Sequence, residues 1–142
     1  MKKQIMISGG FDPVHLGHVK MIQEASQWGD VVVVVNSDQW LKRKKGYVFM
    51  PWRERVEIMG NFRGVTRVVG VNDRDGTVCE AIDRIRPDAF ANGGDRKTEN
   101  TPEMEFCNSL GIQLLWNIGG GKIQSSSELV AASKENKNEL ER

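Results

Sequence analysis

The chain has 142 residues, a length typical of one domain with enough apolar interior for a core. Its 20 lysines and arginines nearly balance its 19 aspartates and glutamates, which gives a net charge of +1. No broad basic field therefore indicates a nucleic-acid or membrane partner, and the hydrophobic content of 39% is typical of a soluble globular protein.

Cysteine spacing and apolar run length both favour a cytoplasmic protein. Cys79 and Cys107 lie far apart, without the CxxC spacing or the histidine cluster of a zinc site, and are expected to be reduced thiols. The longest apolar run, residues 31–35, is far shorter than a membrane span, and the N-terminal apolar run is too short for a signal-peptide core.

Hydrophobic patterning alternates strands and helices along the chain. The predicted strands are residues 4–8, 31–35, 65–71, 89–92 and 112–116. The predicted helices are residues 18–28, 77–86 and 102–110, one that starts at Pro51 and one that starts at Ser125. Five consecutive valines at 31–35 are typical of a strand buried on both faces of a parallel sheet, and residues 36–46 are predicted to be a loop.

This alternation implies right-handed crossovers and an α/β fold, a Rossmann-like, doubly wound five-stranded parallel sheet. We assign residues 1–132 to this single domain and residues 133–142 to a charged C-terminal tail. In such sheets ligands bind beyond the carboxyl ends of the strands. The strand-end loops with glycines or cations suited to phosphate are residues 9–18, 36–46, 93–97 and 119–127.

The first of these loops, residues 9–18, is the most informative segment. It reads Gly-Gly-Phe-Asp-Pro-Val-His-Leu-Gly-His, and His15 and His18 are the only histidines of the chain. Their spacing in a glycine-rich turn favours phosphate binding over a purely structural role. Imidazole N–H groups at a helix N-terminus can donate to phosphate oxygens and stabilise charge during phosphoryl-type transfer. A zinc site is disfavoured because no further soft ligand lies nearby.

The other residues of this turn have separate expected roles. Gly9 and Gly10 permit a tight turn close to a phosphate, and Gly17 removes a side chain where a base or a ribose approaches. Asp12 is expected to cap the turn rather than to hold Mg²⁺.

Two sets of cations follow the second predicted strand. The basic run at residues 42–45, which ends at Gly46, is predicted to form a mobile loop that closes over phosphates. Arg53 and Arg55 open the next helix, where the helix dipole disfavours cations, so one of them is expected to face an anion.

Two later loops also contain glycines and polar side chains. Residues 93–97 include Asp95 and two cations, which suit either a surface turn or contact with an acceptor substrate. Residues 119–127 combine three glycines, Lys122 and three hydroxyls at a helix start, which favours a second anion-binding cradle. The hydroxyls are those of Ser125, Ser126 and Ser127.

These two signatures resemble those of a known family. Residues 10–18 resemble the HxGH motif of the nucleotidylyltransferases related to class I aminoacyl-tRNA synthetases, and residues 122–127 resemble the second signature of that family. Nearly all of residues 3–132 is similar to small cytidylyltransferase-like proteins, such as glycerol-3-phosphate cytidylyltransferases and heptose 1-phosphate adenylyltransferase domains. The resemblance implies transfer of a nucleoside monophosphate from CTP or ATP to a phosphorylated sugar or polyol, with release of pyrophosphate. It also implies Mg²⁺ on the triphosphate, no protein metal ligand, and a homodimer.

The resemblance further implies roles for individual residues. The implied catalytic residues are His15, His18 and Lys44. The implied nucleotide-binding residues are Gly9, Gly10, Phe11, Gly17, Arg55, Lys122, Ser125, Ser126 and Ser127. The implied acceptor-binding residues are Lys42, Lys45 and Asp95.

Two departures from the glycerol-phosphate type leave the choice between CTP and ATP open. Gly120 stands where that type has an arginine, and residues 93–95 are closer to the heptose type. Alternatives within the superfamily are a nicotinate-mononucleotide or a pantetheine-phosphate adenylyltransferase. From another class, the alternative is a nucleotide-binding regulator without turnover, which need not retain transition-state donors.

Overall fold

The computed structural model describes residues 3–93 and 101–119 of the chain. Its strands are β1 (Gln4–Gly9), β2 (Asp30–Val35), β3 (Val65–Val69), β4 (Ala89–Gly93) and β5 (Gln113–Ile118). Its helices are α1 (Leu16–Trp28), α2 (Asp38–Lys45), α3 (Trp52–Gly60), α4 (Cys79–Ile85) and α5 (Thr101–Leu110).

The strands form one five-stranded sheet in the order β3-β2-β1-β4-β5, and every pair is parallel. The chain runs outward from β1 through β2 to β3 and then returns to β4 on the other side of β1. The predicted doubly wound fold is therefore confirmed. The point where the strand order reverses lies between β1 and β4, so the ligand crevice is expected at their carboxyl ends, near Gly9 and Gly93.

Apolar side chains on both faces of the sheet form the core. Ile5 and Ile7 of β1 pack with α1 and α3 on one face, whereas Met6 of β1 packs with α4 and α5 on the other. The five valines of β2 at residues 31–35 are all fully buried, as the unbroken β-branched run predicts. Burial on both faces fixes the positions of the central strands. The loop that follows β1 therefore starts from a fixed point.

The prediction of a loop at residues 36–46 is wrong, because most of this segment is helix α2. Its start is capped by Ser37, whose Oγ accepts a hydrogen bond from Trp40 N at 3.0 Å. Its end is capped by Gly46 with φ 85°. Serine before a helix and glycine after it are the usual boundary signals, and here the run of cations between them hid the helix.

The remaining predicted elements agree with the structure to within a few residues at their ends. The predicted helix from Ser125 and the tail at residues 133–142 lie outside the described residues. None of the helices in residues 3–93 and 101–119 is long and apolar enough to cross a membrane.

Candidate active site

The turn after β1 carries the chain from the sheet to the N-terminus of α1. Phe11 adopts φ 52°, in the left-handed region that costs a non-glycine residue about 1–3 kcal/mol. Its ring is only 3% exposed, and this burial offsets the cost. A Cβ on Gly10 would lie 2.7 Å from Leu41 Cδ2, and one on Gly9 would lie 3.3 Å from the Phe11 ring. A side chain at Gly10 would therefore require Leu41 to move, and one at Gly9 would crowd the Phe11 ring.

The two histidines cap α1 reciprocally. His15 is the N-cap residue, and its Nδ1 accepts a hydrogen bond from Gly17 N at 3.1 Å. His18 Nδ1 accepts one from His15 N, also at 3.1 Å. Because both Nδ1 atoms are acceptors, the proton of each neutral imidazole is on Nε2. The backbone thus sets the tautomer in which each ring has an Nε2–H donor.

The two imidazoles lie against each other at the N-terminus of α1. Their ring centroids are 3.9 Å apart and their planes differ by 29°, while His18 meets the Phe11 ring edge-on at 4.9 Å. Burial, and to a lesser extent the electrostatic influence of His15, lower the pKa of His18 to about 3. His18 is therefore neutral at physiological pH. The first turn of α1 has no acidic residue, so its dipole favours an anion there.

Gly17 lies against the ring of His15. A Cβ at this position would lie 2.9 Å from Cε1 and 3.1 Å from Nδ1 of His15. A side chain here would therefore crowd the imidazole, and the approach of a base or a ribose to Gly17 stays a prediction.

Asp12 joins the glycine turn to the segment after α2. Its buried carboxylate accepts hydrogen bonds from Phe49 N at 2.7 Å and Met50 N at 2.6 Å. Lys45 Nζ lies 3.4 Å from Asp12 Oδ2 and donates to Asp12 O at 2.6 Å. The Asp12 carboxylate thus accepts from backbone N–H groups, as a capping residue does, but from those of residues 49 and 50 rather than of its own turn. Lys45 also helps to hold the turn.

Arg55 lies beneath the turn with a fully buried side chain. It donates to Met50 O, Gly10 O, Asn36 O and Asp38 Oδ1, at 2.9, 2.8, 2.8 and 2.5 Å. The expectation that an arginine here faces an anion is met by Asp38. The implied contact with nucleotide is corrected to an indirect role, because the guanidinium is occupied by protein oxygens and supports Gly10 from below.

The other cations of α2 point in different directions rather than forming one mobile loop. Arg43 Nη2 donates to Asp73 O at 2.8 Å, and Lys44 Nζ lies 4.6 Å from the centroid of the Trp40 ring. Lys42 is exposed. Of the three lysines implied for substrate contact, Lys45 contacts the turn directly through Asp12. Lys44 is near the turn through Trp40, whose ring also neighbours Gly10.

Sequence reasoning missed Asp73, which is 3% exposed. Its carboxylate accepts hydrogen bonds from Asn36 Nδ2 at 3.1 Å, Ser37 N at 2.8 Å and Ser37 Oγ at 2.6 Å. Together with the Arg43 contact, these bonds attach the loop after β3 to the start of α2. The position of Ser37, before a run that contains apolar residues, was the sequence signal for the cap of α2. No sequence feature near Asp73 indicated that it would bond to Ser37.

Several implied site residues lie outside the described residues: Asp95, Lys122, Ser125, Ser126 and Ser127. The last described residue before the second signature is Gly119, whose N–H donates to the Glu24 carboxylate of α1. A Cβ on Gly119 would lie 2.7 Å from Met21 N. The end of β5 therefore lies directly against α1, the helix that carries both histidines.

The model of the cytidylyltransferase-like family matches residues 6–113 of this chain. The chain belongs to the cytidylyltransferase-like family. The match covers β1, the histidine turn, α2 and α3, which together form the site described above.

Relatives and a solved structure agree with this family. The chain is 36% identical over 124 residues to a bifunctional protein HldE of Syntrophotalea carbinolica, covering 84% of this chain and 25% of that protein. It is 36% identical over 122 residues to the HldE of Erwinia tasmaniensis, covering 84% and 23%. The chain thus spans about a quarter of the length of these relatives. A lipopolysaccharide core biosynthesis protein of Thermoplasma volcanium has a TM-score of 0.69 and 25% identity, covering 82% of this chain and 94% of that one.

In this member of the cytidylyltransferase-like family, the described part of the site is built from hydrogen-bond donors. Two Nε2–H groups stand at the N-terminus of α1, beside a glycine turn held by Arg55 and Asp12. Such an array suits an anion whose charge grows or moves during a reaction, because fixed donors need no reorganisation. The described residues contain no group of three or more potential metal ligands.

Proposed function

We propose that the chain is a nucleotidyltransferase that moves a nucleoside monophosphate from ATP or CTP to a small phosphorylated acceptor. The observation that carries this proposal is the reciprocal cap of His15 and His18, which leaves each ring with an Nε2–H donor at a helix N-terminus. Membership of the cytidylyltransferase-like family supports it.

In the proposed reaction an oxygen of the acceptor phosphate attacks the α-phosphorus of the triphosphate in line. A new bond forms between that oxygen and the α-phosphorus, and the bond to the bridging oxygen of the β-phosphate breaks. Pyrophosphate leaves with the electron pair. The acceptor phosphate is already ionised at neutral pH, so no protein nucleophile is needed, and orientation and electrostatic stabilisation carry the catalysis.

The histidines supply the stabilisation. Because His18 is neutral, it donates its Nε2–H to a phosphate oxygen without first losing or gaining a proton. Its partner His15 lies 3.9 Å away, between ring centroids, so both imidazoles stand at the N-terminus of α1. Donors of this kind are worth about two to three orders of magnitude in turnover each.

Mg²⁺ is proposed as the cofactor, bound to oxygens of the triphosphate, where it neutralises phosphate charge. The carboxylate of Asp12, which follows the glycine turn, is already used by two backbone N–H groups and Lys45. This fits a metal that keeps several waters and is held mostly by substrate phosphates.

We propose that the acceptor is a phosphorylated sugar or polyol. We also propose that the reaction takes place in the cytoplasm. The similarity to HldE proteins and to a lipopolysaccharide core biosynthesis protein supports a sugar phosphate. These relatives do not favour the nicotinate-mononucleotide or pantetheine-phosphate alternatives.

The test is pyrophosphate release with ATP or CTP and Mg²⁺, across a panel of sugar and polyol phosphates. We expect release that depends on both an NTP and a phosphorylated acceptor and that stops with the dephosphorylated acceptor. The control is the double variant His15→Asn/His18→Asn, which keeps the cap acceptors but removes both Nε2–H donors. Release by this variant at the wild-type rate would contradict the proposal.

A further inference from the structure

Trp40 lies where three strand-end segments meet. It belongs to α2, which follows β2, and its Cζ3 would lie 3.6 Å from a Cβ built on Gly10 after β1. Its Nε1–H donates to Gly76 O, in the loop after β3, at 3.4 Å. The indole ring is half-buried and therefore forms part of the surface beside the glycine turn.

Lys44 lies one helical turn after Trp40, on the same face of α2. Its Nζ is 4.6 Å from the centroid of the indole ring, within the range of a cation–π contact. Ordering a lysine side chain on a substrate phosphate costs conformational entropy. A ring that holds the ammonium beside the glycine turn reduces this cost before the substrate arrives.

The ring itself is held by a fixed helix. Ser37 caps the start of α2 and bonds to buried Asp73, while Lys45 attaches its end to Asp12. Leu41, the residue after Trp40, is 2% exposed and fills the space opposite Gly10. Trp40 therefore presents its ring from a helix anchored at both ends.

We propose that Trp40 is a positioning residue that holds the Lys44 ammonium in place for a substrate phosphate. The inference rests on the proposed function for the nature of the ligand, a phosphate group. That phosphate belongs either to the triphosphate or to the acceptor, and the two sources are separated by experiment. Trp40 acts through Lys44 and is not itself a catalytic residue.

The test is a double-mutant cycle on binding, measured by titration calorimetry on the full chain. The probes are inorganic tripolyphosphate with Mg²⁺, which represents the triphosphate, and glycerol 3-phosphate, which represents the acceptor. Trp40→Leu is expected to weaken binding of one probe by about three- to tenfold, the range for a cation–π contact. In a Lys44→Met background the same change is expected to have almost no effect, because its target is gone.

Matched variants separate positioning from general damage to α2. Trp40→Phe retains an aromatic face and is expected to bind as the wild type does. Trp40→Gln retains an N–H donor for Gly76 O but loses the ring, so it replaces the leucine variant if that one unfolds. Arg53→Met, which removes an exposed cation from α3, is the control and is expected to leave the effect of Trp40→Leu unchanged.

Each possible outcome either supports or contradicts the inference. Non-additivity with Lys44→Met, but not with Arg53→Met, supports it, and the responding probe identifies the source of the phosphate. Additive effects in both backgrounds, or no binding of either probe by the wild type, would overturn it. Binding needs no turnover, so a wild type that binds with the expected coupling but releases no pyrophosphate contradicts only the proposed function.

Discussion

The imidazoles of His15 and His18 are linked by the backbone that they cap, since His18 Nδ1 accepts from His15 N while His15 Nδ1 accepts from Gly17 N. Each ring therefore has a structural side, Nδ1, and an N–H donor side, Nε2, to which the proposed function assigns the contact with phosphate. Amide side chains can imitate the two sides separately. The oxygen of asparagine lies near the position of Nδ1, and the nitrogen of glutamine lies near that of Nε2.

This division predicts that two amide variants of His18, with asparagine and with glutamine, rank in opposite orders for stability and for activity. His18→Asn keeps the cap acceptor, so its free energy of unfolding should stay within about 1 kcal/mol of the wild type, while turnover falls by about two to four orders of magnitude. His18→Gln should be the less stable variant but the more active one. Denaturant unfolding and pyrophosphate release measure the two quantities. If both variants lose activity equally, Nε2 donation is not the contribution of His18.

The low pKa of His18 predicts a loss of stability in mild acid. Burial lowers this pKa to about 3, whereas in the unfolded chain it is near the ordinary histidine value of 6.5. Between these two pKa values, the unfolded state therefore binds a proton at residue 18 that the folded state does not bind. Stability is fully present above pH 6.5 and declines as the pH falls from 6.5 toward 3, by about 2 kcal/mol between pH 7 and pH 5.

The measurement is the free energy of unfolding against pH for the wild type and for His18→Asn. The variant has no imidazole at this position, so the difference between the two curves isolates His18. A difference that does not change between pH 7 and pH 5 would contradict the prediction.

The sequence predicted the sheet well because its signals are local. Five β-branched residues in a row indicate a doubly buried strand wherever they occur, and the five valines of β2 are fully buried. The same local reasoning missed α2, since four consecutive cations at its end resemble a solvated loop. Its helix depends on contacts distant in sequence, such as those of Ser37 with Asp73 and Lys45 with Asp12.

The unfavourable position of Arg55 at the start of a helix shows what the sequence could predict about its partner and what it could not. A cation in the first turn of a helix opposes the dipole, which correctly indicated a nearby anion. The identity of that anion could not be read from the sequence, because Asp38 lies 17 residues earlier, in a segment predicted to be a loop. A substrate phosphate and a carboxylate of the same chain give the same local signal.

Replacing Arg55 is expected to destabilise the fold. Arg55→Met would leave Gly10 O and Asn36 O without their donor and would remove the buried partner of Asp38. We expect a loss of about 3 kcal/mol or more in the free energy of unfolding. Arg53→Met, an exposed position on the same helix, is the control and should change it by about 0.5 kcal/mol or less. A loss below about 1 kcal/mol for Arg55→Met would show that the fold does not need this network.

Gly17 provides a test of ring placement without removal of either histidine. Alanine is the better helix former by about 1 kcal/mol, but its Cβ would lie 2.9 Å from Cε1 of His15 and displace the ring. We expect Gly17→Ala to fold with little change in stability and to lose about tenfold or more in kcat, because small misplacements of a catalytic group are costly.

The matched control is Gly60→Ala in α3, where the nearest atom to the new Cβ is Val68 Cγ2 at an ordinary 3.7 Å. Its kcat should equal that of the wild type, since no part of the site moves. Combining Gly17→Ala with His15→Asn decides the cause. If the alanine acts only by displacing the His15 ring, it lowers kcat no further once that ring is gone, whereas an additional loss in the double variant would point to direct contact between Gly17 and substrate.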